Sequence, residues 1–206
     1  MAAFELPELL VPDSGAWRDW LADHSGSPGV WLVLHKKGGD VTKLGYEDAV
    51  LQALCFGWID GQVARRDEGS YRQRFTPRKP RSAWSATNVA RVTRLIADGQ
   101  LMPAGLAAVE AARRDGRWDA AYQGQRAAET PADLLAAIAR VPAAQQMYEV
   151  LNAANRYALY YRVIEAKRPD TRARRIAEFV QMLARGETPH PQAGTSRAAT
   201  PPAAGP

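Results

Sequence analysis

Apolar and polar positions change period several times along the chain, and each change predicts an element. Ser14 stands ahead of Trp17, Trp20 and Leu21, which fall on one face at helical spacing, so a short helix capped by Ser14 is expected. Gly26 and Pro28-Gly29 break it. Val30 to Leu34 is a β-rich run bounded by that break and by Lys36-Lys37-Gly38-Gly39, and reads as a strand. From Tyr46 to Phe56, Ala49, Val50, Ala53 and Leu54 recur at helical spacing, and Gly57 stops the helix. Trp58 to Val63 and Tyr71 to Thr76 read as a hairpin around Asp67-Glu68-Gly69. Pro77 and Pro80 make an extended connection. Ser82 then opens a helix running to about Asp98, with Val89, Val92 and Ile96 inward and Gly99 at its end. Pro103 starts another, closed by Asp115-Gly116.

The remaining pattern is helical. Thr130-Pro131-x-Asp133 has the form of a capped start for Leu134, Leu135 and Ile138. Pro142 begins a helix with Met147 and Leu151 inward, and Asn155 to Lys167 carries a tyrosine-rich apolar cluster. Pro169-Asp170 begins the last helix, where Ile176, Phe179, Val180 and Leu183 form a stripe. Residues 187–206 hold five prolines and almost no large apolar side chains. Such a segment buries too little to offset its ordering entropy, and it reads as a disordered tail. The expected architecture is α+β: a small sheet built on a hairpin with flanking helices over residues 1–120, a helical C-terminal subdomain over 121–186, and the tail.

Composition narrows the function. Of 206 residues, 46% are hydrophobic and 24% charged, as in ordinary globular chains. No apolar run approaches a membrane span, and the opening MAAFELPELLVPD lacks the basic start and apolar core of a secretory signal. Cys55 is the single cysteine, and the three histidines are scattered, so neither an internal disulfide nor a metal site with ligand spacing is expected. No cofactor is called for, and a cytoplasmic location is the expectation. The net charge of +5 is uneven. Residues 62–97 carry nine basic and two acidic side chains, and residues 162–185 carry seven and three. Blocks of this kind mark either an anionic partner or a solvated basic face.

Residues 57–88 concentrate the chemistry. Alternation along a strand puts Trp58, Asp60 and Gln62 on one face of theirs, and Tyr71, Gln73 and Phe75 on one face of theirs, with Arg72, Arg74 and Thr76 on the other. Aromatic and polar groups mixed on one face suit a pocket wall better than a core. Arg74, Arg78, Lys79 and Arg81 lead into a helix start holding Ser82 and Ser85 and no acid, a setting that favours an anion. Asn88 lies four residues beyond Trp84, on the same helical face, where an amide needs a fixed partner. The candidate ligand-binding set is therefore Trp58, Asp60, Gln62, Gln73, Arg74, Arg78, Arg81, Ser82, Trp84 and Asn88, with Arg74 foremost. Each has a plainer reading: turn pinning for Asp60, simple capping for Ser82, core for the tryptophans, solvated surface for the arginines.

The run from Ala53 to Asp60 with the RFTPRKPRSAWS segment, and Glu165 to Ile176 (EAKRPDTRARRI), resemble the signature of the YdeI/OmpD-associated family of bacterial proteins, over about residues 28–186. The resemblance implies a link to protection against bacteriocins and cationic antimicrobial peptides. It implies no catalytic residue.

Three readings follow. The first is a cytoplasmic protein binding a small anionic ligand, such as a nucleotide or other phosphorylated metabolite, between the Trp58–Gln62 strand and the Ser82 helix. The second is an enzyme using the same pocket, with Asp60 as its polar catalytic group; a lone aspartate beside arginines is a weak base, so orientation of water or substrate suits it better. The third is nucleic-acid binding through the two basic blocks, with Arg168, Arg172, Arg174, Arg175 and Arg185 in the second. Oligomeric state is not legible.

Overall fold

The computed structural model describes residues 6–124 and 127–192. The chain forms two compact units, Met1–Ala121 and Tyr122–Pro206.

The first unit carries the sheet. Its elements are β1 (Glu8–Leu9), α1 (Ser14–Asp23), β2 (Val30–His35), α2 (Tyr46–Cys55), β3 (Trp58–Arg65), β4 (Ser70–Pro77), α3 (Ala86–Ala97) and α4 (Pro103–Arg114). The strands lie in the order β1-β2-β4-β3, with β1 parallel to β2 and the other pairs antiparallel. The two-residue β1 has no alternation long enough to be seen in sequence. Val30, Leu32 and Leu34 stand opposite Phe75, Gln73 and Tyr71, and all but Tyr71 are buried. This face packs on α1 and α2 through Trp17, Leu21, Ala49, Val50, Ala53 and Leu54. Trp17 donates its indole N–H to the Ala49 carbonyl at 3.0 Å, so this fully buried indole keeps its donor paired.

Two helix starts differ from expectation. The α1 cap is Asp13, whose Oδ1 accepts from the Ala16 amide at 3.0 Å; Ser14 is the first helical residue. Helix α3 begins at Ala86, not Ser82, and Ser85 caps it by accepting from the Asn88 amide at 3.2 Å. Both candidates are good N-caps, and local sequence alone does not choose between serines three apart.

Helix α4 sits very close to the end of α2. A Cβ on Gly105 would fall inside contact distance of the Cys55 carbonyl and 3.0 Å from that of Leu54, so only glycine permits this approach. Gly57 ends α2 with φ +74° against the Ala104 carbonyl. The Met102 amide donates to the Cys55 carbonyl at 3.0 Å, tying the two segments.

The second unit holds α5 (Ala132–Ala139), α6 (Pro142–Glu149), α7 (Ala153–Glu165) and α8 (Pro169–Ala184). Its core is Leu134, Ile138, Leu159, Val163, Phe179 and Leu183, with neighbours. Thr130 does not cap α5; its hydroxyl shares a 2.7 Å hydrogen bond with Tyr148 Oη. The sequence places residues 187–192 in the free tail. Two of them, His190 and Gln192, bond to Asn155, which is fully buried. Its Nδ2 donates to the His190 carbonyl at 3.1 Å and to Gln192 Oε1 at 2.7 Å, and its Oδ1 accepts from the His190 amide at 2.8 Å. The rest of the expected tail, 193–206, lies outside the described residues. Among those residues no helix is long and apolar enough to cross a membrane.

Candidate functional site

A pocket of about 400 Å³ opens in the first unit where four separate segments meet. The end of α1 contributes Leu21 and Ser25, and the α2–β3 junction contributes Phe56, Gly57 and Trp58. The connection after β4 contributes Pro77 to Pro80. Helix α4 presents Ala104, Ala107, Ala108 and Ala111, which recur at i, i+3, i+4 and i+7 and so form one continuous stripe. Arg117, just past α4, completes the lining. The cationic groups are Arg78, Lys79 and Arg117, and no acidic residue lines the pocket.

The connection is held in place by its own hydrogen bonds. The Arg78 amide donates to the Gly57 carbonyl at 3.0 Å. The Lys79 amide donates to Ser82 Oγ at 3.0 Å, and the Ser82 amide to the Lys79 carbonyl at 2.9 Å, closing a reciprocal turn. The Arg78 guanidinium lies over the Trp84 ring at 3.7 Å and donates from Nη1 to the Ala83 carbonyl at 3.1 Å. Trp84 in turn packs on Trp118 at 5.0 Å, and Arg113 lies over Trp118. An arginine over a buried indole and bonded to a backbone carbonyl has its head group held in place. Arg117 donates to the Ser82 carbonyl at 2.8 Å and pairs with Asp115 at 2.8 Å. Its hydrogen bond holds the Asp115 carboxyl below the usual carboxylate range. Part of the Arg117 charge is thus compensated, and the exposed Lys79 adds to the positive potential of the lining.

Of the residues singled out from sequence, the pocket gathers Trp58 and Arg78, with Trp84 under Arg78 and Ser82 bonded to Lys79 and Arg117. The others go elsewhere. Trp58 and Asp60 do share a face, but a bulge sets Gly61 and Gln62 against Arg74 alone, and Gln62 drops out of the alternation to the surface. Gln73 is buried and repairs that bulge: its Nε2 donates to the Gly61 carbonyl at 2.9 Å and the Gln62 carbonyl at 3.4 Å. Arg74 pairs with Trp31 in register on the other sheet face, away from Phe75, and is not among the lining residues. Arg81 is exposed in the turn.

Asp60 and Asn88 belong to a second polar group. Asp60 Oδ2 accepts from the Tyr46 hydroxyl at 2.7 Å. Burial, then that hydrogen bond and the Asp60 charge, push the Tyr46 phenol well above its ordinary value. Asn88 Oδ1 accepts from Arg91 Nη1 at 2.8 Å, and Arg91 also pairs with both carboxylate oxygens of Glu47. Every member therefore has a partner within the group, which suits a tie between α2, β3 and α3.

Sequence reasoning missed Arg117 and the α4 alanines, and passed Lys79 by. The stripe had a signal: four alanines where an amphipathic helix ordinarily shows large apolar residues. Among the described residues no three His, Cys, Asp or Glu side chains are placed to hold a metal ion. Four of the seven cations in the second basic block pair with acids: Arg172 with Asp133, Arg175 with Glu165, Arg174 with Glu178 and Arg185 with Glu187.

Two family models match the chain, each within one unit. Residues 9–108 match a domain of unknown function (DUF8412). Residues 127–186 match the family described as bacteriocin-protection, YdeI or OmpD-associated. That likeness thus attaches to the C-terminal part, whereas the GWIDG and RFTPRKPRSAWS runs fall in the other match. No curated protein and no solved structure matches the chain.

Proposed function

Proceeding from a C-terminal unit of the YdeI or OmpD-associated type, we propose that the protein binds a small anionic ligand in the first-unit pocket, and serves stress or antimicrobial-peptide protection indirectly, from the cytoplasm. The observation that carries this reading is the charge of the lining: three cations and no acid around a mainly apolar hollow. Its volume falls in the range of small-molecule sites. A basic surface is a poor trap for a cationic peptide, so direct capture of such a peptide is disfavoured by charge. A binding role also needs no catalytic group, and Asp60, the one polar residue offered for catalysis, is engaged with Tyr46 instead of lining the pocket.

The test is calorimetric titration of the full chain with phosphate and sulfate. Lys79→Ala and Arg78→Ala should each weaken binding about ten- to a hundred-fold, the loss expected for one charge-assisted partner. Arg140→Ala, on the second unit, should leave it unchanged. Because Arg78 also packs on Trp84, the exposed Lys79 is the cleaner variant. Equal binding by wild type and both variants would remove the pocket from consideration.

A further inference from the structure

Resting on that binding reading, we infer that the ligand is a carboxylate with an apolar body, an alkanoate or a compact aryl carboxylate, in place of a nucleotide. The lining decides this by what it can hydrogen-bond. Apart from the three cations, Ser25 is its single side chain with a hydrogen-bonding group of ordinary polarity, Trp58 being almost wholly buried. A nucleobase or a sugar brings several donors and acceptors. Set against alanine, leucine and phenylalanine, they find few side-chain partners, and each polar group left unpaired there costs free energy. An alkyl chain meets no such penalty.

The shape points the same way. The alanine stripe from Ala104 to Ala111 runs roughly 10 Å along α4, two turns of helix with no side chain longer than a methyl. The partly exposed Phe56 adds apolar surface to the lining, over the buried Leu21 and Trp58. The cations cluster on the connection after β4 and beyond the end of α4, not within the trough. One charged head and one apolar body fit this polarity. A carboxylate reaches the exposed Lys79 ammonium, beside the positive charge of the Arg78 guanidinium over Trp84.

Tryptophan fluorescence and calorimetry on the full chain test this with acetate, hexanoate, octanoate, 1-octanol, adenosine monophosphate and phosphate. Affinity should rise about fourfold for each added methylene between hexanoate and octanoate. Octanol, which lacks the charge, should bind at least tenfold more weakly than octanoate. Ala107→Leu places a branched side chain in the trough at an exposed helical position, so folding is spared. It should cut octanoate affinity at least tenfold and leave phosphate affinity unchanged. Lys79-dependent binding of phosphate or the nucleotide, with no gain along the alkanoate series, would overturn the apolar-body assignment and leave the anion site standing. Octanoate binding indifferent to Ala107→Leu would also overturn it, because the chain would then lie elsewhere. Failure of every anion to bind would remove both readings together.

Discussion

Gln73 shows how one residue type supports two opposite readings. A glutamine between Tyr71 and Phe75 looks like a pocket wall, because cores seldom hold an amide. Its amide is needed for a backbone reason: the bulge at Gly61 and Gln62 breaks the ladder, and two carbonyls would otherwise lack a donor. Gln73→Leu keeps the volume and removes that donor. We expect a loss of about 1 kcal/mol in denaturant unfolding, the net worth of a partly buried hydrogen bond. Phosphate affinity should not change, since Gln73 does not line the pocket. A variant as stable as wild type would show that water takes over the role. The arginines divide in the same manner. Arg78 packs over Trp84 and is among the pocket's lining residues, whereas Arg74, only four residues earlier, lies on the sheet.

At the level of elements, the pairing of α2 with α4 positions the pocket. The approach at Gly105 sets how far the alanine stripe stands from Trp58 and Phe56. Gly105→Ala therefore acts on stability and site together. The added methyl meets the Cys55 and Leu54 carbonyls, which are backbone and cannot swing aside, so α4 must move outward. The expected cost is about 3 kcal/mol, at the upper end for overpacking, with weakened octanoate binding. Gly99→Ala is the contrast: φ is +65°, yet nothing lies within 4 Å of its Cβ, so backbone strain acts alone there. Its cost should be nearer 1 kcal/mol, with ligand affinity untouched. Equal effects on affinity at the two glycines would mean that helix placement does not control the site.

Across the whole molecule, two cores in two units carry separate assignments. The pocket lies in the unit matched by the domain of unknown function, and the YdeI or OmpD-associated match lies in the helical unit. The C-terminal segment bears on the second core through Asn155. Deleting 193–206 keeps every bond described for that residue, and stability should stay within about 0.5 kcal/mol of the full chain. Deleting 187–206 removes His190 and Gln192, the partners of a fully buried amide. That truncation should cost about 1–3 kcal/mol by chemical denaturation. If the two truncations behave alike, the Asn155 bonds contribute nothing measurable.

Much of the architecture was legible locally. The period of apolar positions, glycine stops and proline starts act within a few residues, so they marked α2, the β3–β4 hairpin, α4 and α8 with little reference to anything distant. The charge blocks were equally plain, being counts along the chain. Which serine caps α3 was not legible, because both serve and packing of Trp84 on Trp118 and Arg78 selects the second. Neither was the bulge, which breaks the alternation that had grouped Gln62 with Trp58 and Asp60. Least legible was the pocket. Its walls come from around residues 21–25, 56–58, 77–80 and 104–117, and only packing brings a lysine, two arginines and four alanines to one space. A strand or helix is decided by neighbours in sequence; a cavity is the room left between elements after their cores are buried, and no local pattern encodes that remainder.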